Sequence, residues 1–193
     1  MEVVNAHCRK INEDDLERIM GWRMMPEITK YLNTDPVLTI EGQKKWFEKI
    51  KADEQKTLSE GRKNFYWLLE VDETPVGFVS LVDTDMISGK THTGVYIAEK
   101  AKRSLRLIVD IQMNLYQYAF EKLGLNKVCE EVFVANKGVS RILDMCGSKR
   151  EGILRSDVCK NGIYYDVEVR GVLKSEWEDI KNKMQYNYIE FDE

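Results

Sequence analysis

Hydrophobic residues follow two different spacings along this chain, and the change from one to the other predicts its elements. Short runs that are apolar at most positions are typical of buried strands. Such runs occupy Cys8–Ile11, Phe65–Val71, Pro75–Val82, Thr91–Ala98, Val128–Ala135 and Tyr164–Leu173. Elsewhere the apolar residues recur every three or four positions, which predicts amphipathic helices. These helices begin near Asn12, Thr39, Ser104 and Val139, and Ser104–Leu123 is the longest.

Residues with strong local preferences define several boundaries. Asn12 and Thr39 can cap helices, because a side-chain oxygen at that position accepts a hydrogen bond from a first-turn amide. Gly124 is expected to end the long helix, since glycine adopts the left-handed conformation at little cost. Asn161-Gly162 favours a tight hairpin turn between two strands.

The order of the predicted elements is β-α-α-β-β-β-α-β-α-β-β, which indicates an α+β domain with a mixed sheet packed by helices. A length of 193 residues suits one domain, and 43% hydrophobic residues are enough for a core. We expect this domain to span residues 1–177, followed by an amphipathic and acidic tail at 178–193. The mostly polar stretch Lys51–Lys63 is expected to be a loop.

Bulk properties exclude several classes of function. A net charge of −4 and a pI near 5.4 give no general attraction to nucleic acid. The first 20 residues are rich in charged side chains, unlike a signal peptide, and no apolar run approaches the roughly 20 residues of a membrane span. We therefore expect a cytoplasmic protein without a membrane partner. We expect reduced thiols and no metal site, with a disulfide or zinc site as the less favoured alternative. The cysteines that form no C-x-x-C pair are Cys8, Cys129, Cys146 and Cys159.

The C-terminal third carries motifs whose order resembles that of the GNAT acetyltransferases, with E-G-x-L-R, G-x-Y-x-D and L-x-x-E-W in succession. They stand at residues 151–155, 162–166 and 173–177. The run from Trp22 to Leu32 resembles W-R-N-x-P-x-I-x-K-x-M in the amino-sugar N-acetyltransferases of pseudaminic acid biosynthesis. A related branch, which shares the C-terminal motifs, acetylates the N-terminal amines of ribosomal proteins. The resemblance covers nearly the whole chain and implies a GNAT-like mixed, mainly antiparallel sheet flanked by helices, with acetyl-CoA as cosubstrate.

The same resemblance implies a site for CoA at the start of the long helix. Free amides and the helix dipole attract phosphates there. The family loop R/Q-x-x-G-x-G/A corresponds to Arg103, Ser104, Leu105, Arg106, Leu107 and Ile108, where Arg106 and Ile108 replace small residues. The pantetheine arm would contact Val95, Tyr96 and Ile97, and Asn136 would contact CoA. In the alternative interpretation this basic run is a solvated loop and Asn136 only caps a helix.

Aminolysis of a thioester requires a neutral amine, a site for the oxyanion and a proton for the leaving thiolate. Many family members use a tyrosine in the helix after the asparagine as the acid, and Leu143 stands at that position here. Tyr96 and His92 are the candidate substitutes, with a packing role for Tyr96 and a surface position for His92 as alternatives. No cysteine has a histidine nearby in a recognisable motif, so we expect direct transfer without a metal or a covalent enzyme intermediate.

Four residues are candidates for binding the acceptor. Trp22 and Tyr31 can stack on a uracil or sugar ring or simply pack, Arg23 lies in the resembling segment, and Asp83 can attract an ammonium group. We predict an N-acetyltransferase that acts on a small-molecule primary amine, in the first place a nucleotide-linked amino sugar. A protein N-terminus, as on a ribosomal protein, and a catalytically inactive CoA-binding or interaction module are the alternatives. Both a monomer and a homodimer fit the sequence.

Overall fold

The computed structural model describes residues 5–193, which form an eight-stranded sheet with helices on both faces. The strands are β1 (Ala6–Lys10), β2 (Phe65–Val71), β3 (Thr74–Asp85), β4 (Lys90–Ile97), β5 (Lys127–Phe133), β6 (Lys149–Lys160), β7 (Ile163–Leu173) and β8 (Glu190–Phe191). The helices are α1 (Leu16–Arg23), α2 (Pro26–Thr29), α3 (Ile40–Glu54), α4 (Leu105–Gln117), α5 (Lys137–Met145) and α6 (Lys174–Lys183). The order across the sheet is β6-β7-β5-β4-β3-β2-β1-β8. Only the β4–β5 and β1–β8 pairs are parallel, so the predicted α+β fold with a mixed, mainly antiparallel sheet is confirmed.

Two tight turns connect neighbouring strands. The β2–β3 turn places Asp72 and Glu73 at φ values of 52° and 62°, and the β6–β7 turn places Asn161 and Gly162 at 52° and 76°. Two successive positive φ values are the mark of the type I′ turn, whose twist matches that of the strands. The hairpin predicted from Asn161-Gly162 is therefore confirmed.

The long predicted helix is α4 together with the π-helical turn Tyr118–Lys122 that continues it. Ser104 caps α4 by accepting a hydrogen bond from the Leu107 amide. Gly124 follows the π turn at a φ of 70°, the left-handed conformation expected of a residue that ends a helix.

The sheet separates two hydrophobic cores. The face covered by α4, α5 and α6 holds the larger core, which includes Trp67, Leu81 and Ile111. The opposite face is covered by α1 and α3 and holds a smaller core around Ile19, Leu68 and Ile50. We call these the α4 face and the α1–α3 face.

The chain between the first two strands differs in detail from the prediction. Pro26 is the first residue of α2 rather than only the end of α1, because proline fits the first turn of a helix, where its missing amide is not needed. The prediction of a loop at Lys51–Lys63 is wrong for its first four residues, since α3 continues to Glu54.

The C-terminal residues return to the first strand. β8 pairs with β1 in parallel, and the Trp67 indole donates to the Asp192 carbonyl at 2.8 Å. The Asp192 carboxylate accepts from the Lys10 amide at 3.1 Å and lies 2.9 Å from the His7 ring. Among residues 5–193 no helix combines the length and hydrophobicity that crossing a membrane requires.

A buried ion pair fixes the entry into α1. Arg9 donates two hydrogen bonds to the Asp15 carboxylate, at 2.7 and 2.8 Å. The same carboxylate accepts from the Asn12 amide at 2.9 Å, as in a capping box. Burial alone would raise the pKa of Asp15, but these hydrogen bonds outweigh it and hold the pKa below its usual range.

We predict that Asp15→Asn lowers the free energy of unfolding at pH 7 by about 1–3 kcal/mol, because it removes the charge that Arg9 binds. A lowered pKa gives stability that is present above about pH 4 and lost as the pH falls through the lower pKa of the folded state. The difference between the two proteins should therefore shrink at acid pH. Urea unfolding at pH 7 and pH 3 checks this, with the exposed neighbour Asp14→Asn as control. An equal loss in both variants, or a difference independent of pH, would contradict it.

Candidate active site

A gap opens in the middle of the sheet between β4 and β5. The two strands pair only at their first residues, Lys90–His92 with Lys127–Cys129. Beyond this apex β4 follows β3 to the pair Gly77–Ile97, and β5 follows β7 to the pair Phe133–Val167. The edges of β4 and β5 that face the gap therefore keep backbone groups without a strand partner. The two strands therefore splay apart beyond the apex.

Two glycines allow β3 and β4 to pack closely along one side of the gap. A Cβ atom at Gly77 would lie 2.4 Å from the Tyr96 carbonyl oxygen, and one at Gly94 would lie 2.5 Å from the Ser80 Oγ. Gly94 also stands between His92 and Tyr96 on the α1–α3 face, so it leaves space between these two side chains.

Buried hydrogen bonds hold the opposite side of the gap against α4. The Glu130 carboxylate of β5 accepts from the Tyr116 hydroxyl and, at 3.3 Å, from the Gln112 amide, both on α4. Its other oxygen accepts from Ser148 Oγ at 2.5 Å. Burial raises the pKa of Glu130 and outweighs the hydrogen bonds from Ser148 and Tyr116, which lower it.

Arg170 of β7 extends this network to α5. Its guanidinium pairs with Glu168 and Asp144 and donates to the Ser148 carbonyl at 2.8 Å. Since Asp144 belongs to α5, the network fixes α5 relative to β5 and β7.

Arg103 anchors the loop that leads from β4 into α4. Its Nε donates to the Ile97 carbonyl at 2.6 Å and one terminal nitrogen donates to the Ala98 carbonyl at 3.0 Å. The predicted site residue Arg103 thus stabilises the loop through its side chain. A direct contact with a ligand stays a prediction.

The first turn of α4 keeps amides without an intrahelical partner. Ser104 Oγ takes up the Leu107 amide at 3.1 Å, and the Ile108 amide makes the first helical bond, to the Ser104 carbonyl at 3.2 Å. The amides of Leu105 and Arg106 have no α4 carbonyl four residues before them, so they lack an intrahelical hydrogen-bond partner. The Arg106 side chain pairs with Asp110 one turn further on, at 3.0 Å.

Asn136 lies at the start of α5, as predicted. Its Oδ1 is 3.4 Å from the Val139 amide, a long capping hydrogen bond. The cap uses only the oxygen of the side chain, so the amide nitrogen keeps its donors. Leu143 is buried, 4% exposed, and offers no acid at the position of the family tyrosine.

Tyr96 lies mostly buried on the α1–α3 face beside the gap. Its ring stacks on Phe78, with centroids 5.5 Å apart and planes at 8°, and meets the edge of Trp22 at 6.5 Å. Its hydroxyl is buried and has no hydrogen-bond partner among residues 5–193. Burial raises the pKa of Tyr96 well above 10, so the hydroxyl keeps its proton and can donate.

His92 is half-buried at the apex of the gap, in register with Cys129 across the parallel pair. Two residues beyond Cys129 on the same face of β5 lies Glu131, which is exposed. Sequence reasoning missed Glu131. Its alternation with the buried Glu130 was the available signal, since neighbours on a strand point to opposite faces.

Sequence reasoning also missed how many aromatic residues line the α1–α3 face. Tyr66 lies 5.7 Å from Trp46 and 5.8 Å from Phe78, centroid to centroid. We call Trp22, Trp46, Tyr66, Phe78 and Tyr96 the aromatic wall. Burial raises the pKa of Tyr66, as do the charges of Asp83 and Asp53, whereas Arg23 lowers it.

The predicted acceptor residues occupy different positions around this wall. Trp22 is buried, 3% exposed, and contributes to the smaller core. Arg23 is half-buried at the end of α1, and Asp83 is exposed in an irregular stretch of β3 at a φ of 52°. Tyr31 is 38% exposed after α2, with the Lys30 ammonium 5.0 Å from its ring centroid.

The tip of the β6–β7 hairpin closes on the segment that carries Tyr31. Lys160 donates to the carbonyls of Thr29 and Leu32 and pairs with Asp35 at 2.9 Å. Asn161 donates to the same Asp35 carboxylate at 2.7 Å. The two segments are more than 120 residues apart in sequence, and their contact closes one end of the α1–α3 face.

Comparison with known families finds a match between residues 7–149 and the family model described as an acetyltransferase (GNAT) domain. The probable N-acetyltransferase YjcK of Bacillus subtilis is 28% identical over 177 residues, 86% of this chain and 93% of the relative. The putative ribosomal N-acetyltransferase YdaF of the same organism is 31% identical over 57% of this chain and 60% of its own. The acetyltransferase PseH of Campylobacter jejuni is 27% identical over 66% and 73% of the two chains.

A solved structure shares the fold. The spermidine N-acetyltransferase of Vibrio cholerae, in complex with CoA and spermine, superposes with a TM-score of 0.78 over 90% of this chain and 98% of that chain, at 21% identity. This likeness confirms the architecture of the sheet and helices around the gap.

We predict that Glu130→Gln costs about 1–3 kcal/mol of unfolding free energy near pH 4 and less at higher pH. A raised pKa gives stability that is present below about pH 4.3 and is lost as the pH rises through the higher pKa of the folded state. Glutamine does not titrate, so the variant escapes that loss. Urea unfolding between pH 4 and pH 8 measures the difference, with exposed Glu131→Gln as control. A cost that grows with pH would contradict the prediction.

Proposed function

Because this chain belongs to the GNAT acetyltransferase family and is an acetyl-CoA-dependent N-acetyltransferase, we propose that it acetylates the primary amine of a nucleotide-linked amino sugar by direct transfer. The observation that carries the proposal is the gap between β4 and β5. It has the free amides of α4 at one end and the aromatic wall on one face.

The residues around the gap fit a CoA-type ligand in spite of the missing loop glycines. Leu105 and Arg106 have helical conformations that any residue adopts, and their amides are the free ones of the first turn. The pairing with Asp110 draws the Arg106 side chain along the helix, away from these amides. We assign phosphate binding to the turn Ser104–Ile108 and pantetheine binding to the backbone of Val95, Tyr96 and Ile97.

Asn136 stands on the opposite side of the gap in this proposal. Its free amide donors lie at the start of α5, which the Arg170 network holds in place. Acetyl-CoA supplies the thioester carbonyl that the amine attacks.

The reaction forms one N–C bond and breaks one C–S bond, and the proton that the amine loses ends on the thiolate sulfur. A sugar amine next to electron-withdrawing groups loses its proton more readily than a lysine amine, whose pKa is about 10.4. We assign the hydrogen bond to the leaving group to the protonated Tyr96 hydroxyl. His92 at the apex and Glu131 on β5 are the candidate acceptors for the amine proton.

Cysteine chemistry is not needed for this reaction. Cys129 lies opposite His92, but burial raises the pKa of its thiol, which keeps it protonated at neutral pH. This supports direct transfer over an acetyl-cysteine intermediate.

The choice of an amino-sugar acceptor rests on two observations. The half-buried members of the aromatic wall, Trp46, Tyr66 and Tyr96, and the more exposed Tyr31 offer ring surface suited to a sugar or uracil ring. The resemblance of Trp22–Leu32 to the amino-sugar branch also favours it, as does the similarity to PseH.

A protein N-terminus remains the second candidate, because one relative is named a putative ribosomal N-acetyltransferase. A polyamine, the acceptor named for the Vibrio cholerae enzyme, is disfavoured by the positive charge of Arg23 beside the aromatic wall. Acetylation assays with nucleotide-linked amino sugars, N-terminal peptides of ribosomal proteins and spermidine separate the three. We place the reaction in the cytoplasm, as expected from the sequence.

We predict that acetyl-CoA binds with micromolar affinity. Acetylpantetheine, which lacks the pyrophosphate, should bind at least about tenfold more weakly, and so should acetyl-CoA to Arg103→Ala, which removes the loop anchor. Calorimetry measures both. Desulfo-CoA, which keeps the phosphates, should bind nearly as well. Lys100→Ala, a cation in the same loop, serves as control. Absence of binding at millimolar acetyl-CoA would overturn the proposed site.

We predict that Tyr96→Phe lowers kcat about 100-fold without lowering Tm, because the hydroxyl has no partner in the described fold and its loss breaks no protein hydrogen bond. Steady-state kinetics and thermal unfolding measure the two effects, with exposed Tyr164→Phe as control. His92→Ala and Glu131→Gln, tested beside it, should flatten the acidic limb of the pH profile if either accepts the amine proton, since a base must be deprotonated to act. An unchanged kcat in Tyr96→Phe would remove Tyr96 from the reaction.

A further inference from the structure

Within the described residues, half-buried Arg23 lacks the acceptor that Arg9 and Arg170 have. Arg62 is a second such case, but its guanidinium lies over the Phe65 ring, 4.0 Å from the centroid. Arg9 pairs with Asp15 at 2.7 Å, and Arg170 pairs with Glu168 and Asp144. No ion pair among residues 5–193 includes Arg23, and its Nε is buried without a hydrogen-bond partner. The unpartnered Nε costs free energy, and no hydrogen bond within residues 5–193 uses the terminal nitrogens of this half-buried guanidinium, so they keep donors for an external anion.

The surroundings of Arg23 strengthen its attraction for an anion. It follows Trp22, whose ring meets the edge of Tyr96 at 6.5 Å. Its charge also acts on the hydroxyls of Tyr66 and Tyr96. Aromatic rings exclude water, and a charge in such surroundings interacts more strongly than one on the surface.

Asp83 supplies the opposite charge, which also acts on the Tyr66 hydroxyl. It follows the residue that pairs with His92, Val82, so it lies toward the apex end of the gap. Its backbone adopts a φ of 52°, in the left-handed region that aspartate visits more readily than most residues, and its amide donates to the Asn64 side-chain oxygen at 3.3 Å. The α1–α3 face therefore carries a negative group near the apex and a positive group at the end of α1.

We propose that the acceptor is an amine that also carries a phosphate or carboxylate group, that Arg23 binds this anionic group, and that Asp83 faces the amine. This inference rests on the proposed N-acetyltransferase function and narrows its substrate class. A guanidinium binds phosphates and carboxylates through two parallel hydrogen bonds. A diamine would place a second cation against Arg23, and a neutral amine would leave Arg23 without a partner.

Two sets of matched amines test the proposal. The first set is 4-aminobutyrate, 4-amino-1-butanol and 1,4-diaminobutane, which differ only in the charge of the far group. The second set is glucosamine 6-phosphate and glucosamine. We expect the anionic member of at least one set to have a kcat/KM about tenfold or more above its neutral counterpart. The set that shows this preference tells whether the site takes a carboxylate or a phosphate.

Variants of Arg23 connect the preference to this residue. Arg23→Gln should abolish the preference through KM, with little change for the neutral amine, and Arg23→Lys should keep part of it. Arg18→Gln, an exposed arginine on the same helix, is the control and should leave the preference intact. Thermal unfolding shows whether each variant is folded. If Arg23→Gln does not fold, Arg23→Lys and Arg23→Met replace it.

The outcomes separate this inference from the proposed function. Acetylation without preference for an anionic acceptor, or an equal fall in kcat for all acceptors in Arg23→Gln, overturns the role of Arg23 but keeps the acetyltransferase. If no amine is acetylated, calorimetry compares the affinities of glucosamine 6-phosphate and glucosamine for the CoA-bound protein. Tighter binding of the phosphorylated sugar would show the anion site. Equal binding of the two sugars in that measurement also overturns the inference. Failure of acetyl-CoA itself to bind refutes the proposed function instead.

Discussion

The site depends on the fact that two neighbouring strands of one sheet pair over only three residues and then separate. β4 continues along β3, where Gly77 and Gly94 allow close approach, and β5 continues along β7. A sheet that stayed paired would satisfy the backbone groups that here face the gap. Each wall is therefore held by its outer neighbour, and the positions of α4, α5 and the aromatic wall follow from that separation.

The sequence predicted the order of elements because each signal was local. Ser104 caps α4 and Asn161-Gly162 forms its turn, both through interactions within a few residues, and the spacing of apolar residues along α4 indicated which face is buried. Contacts between distant segments escaped prediction. Lys160 binds the segment around Leu32, and β8 pairs with β1, yet neither contact leaves a pattern in either segment alone.

The sequence predicted the position of the candidate site better than the contacts of its side chains. Its residues fall beside the gap because a strand followed directly by a capped helix places them there. The partners of their side chains could not be predicted. Arg103 binds carbonyls of its own loop, and Arg106 pairs with Asp110, so two predicted phosphate ligands use their charges within the protein. Arg23 is the opposite case. Its guanidinium has no acceptor within the described residues, and the sequence alone could not show this.

The two ends of α4 are attached to opposite walls of the gap. Its first turn is joined to β4 through Arg103, and Tyr116 near its end is bound to Glu130 of β5. The helix therefore acts as a rigid spacer, and the width of the slot exists before any ligand arrives. A flexible pantetheine chain loses conformational entropy when it enters such a slot, but the protein, whose slot is already formed, loses little. Preorganisation of this kind leaves more of the contact energy for affinity and for orientation of the thioester.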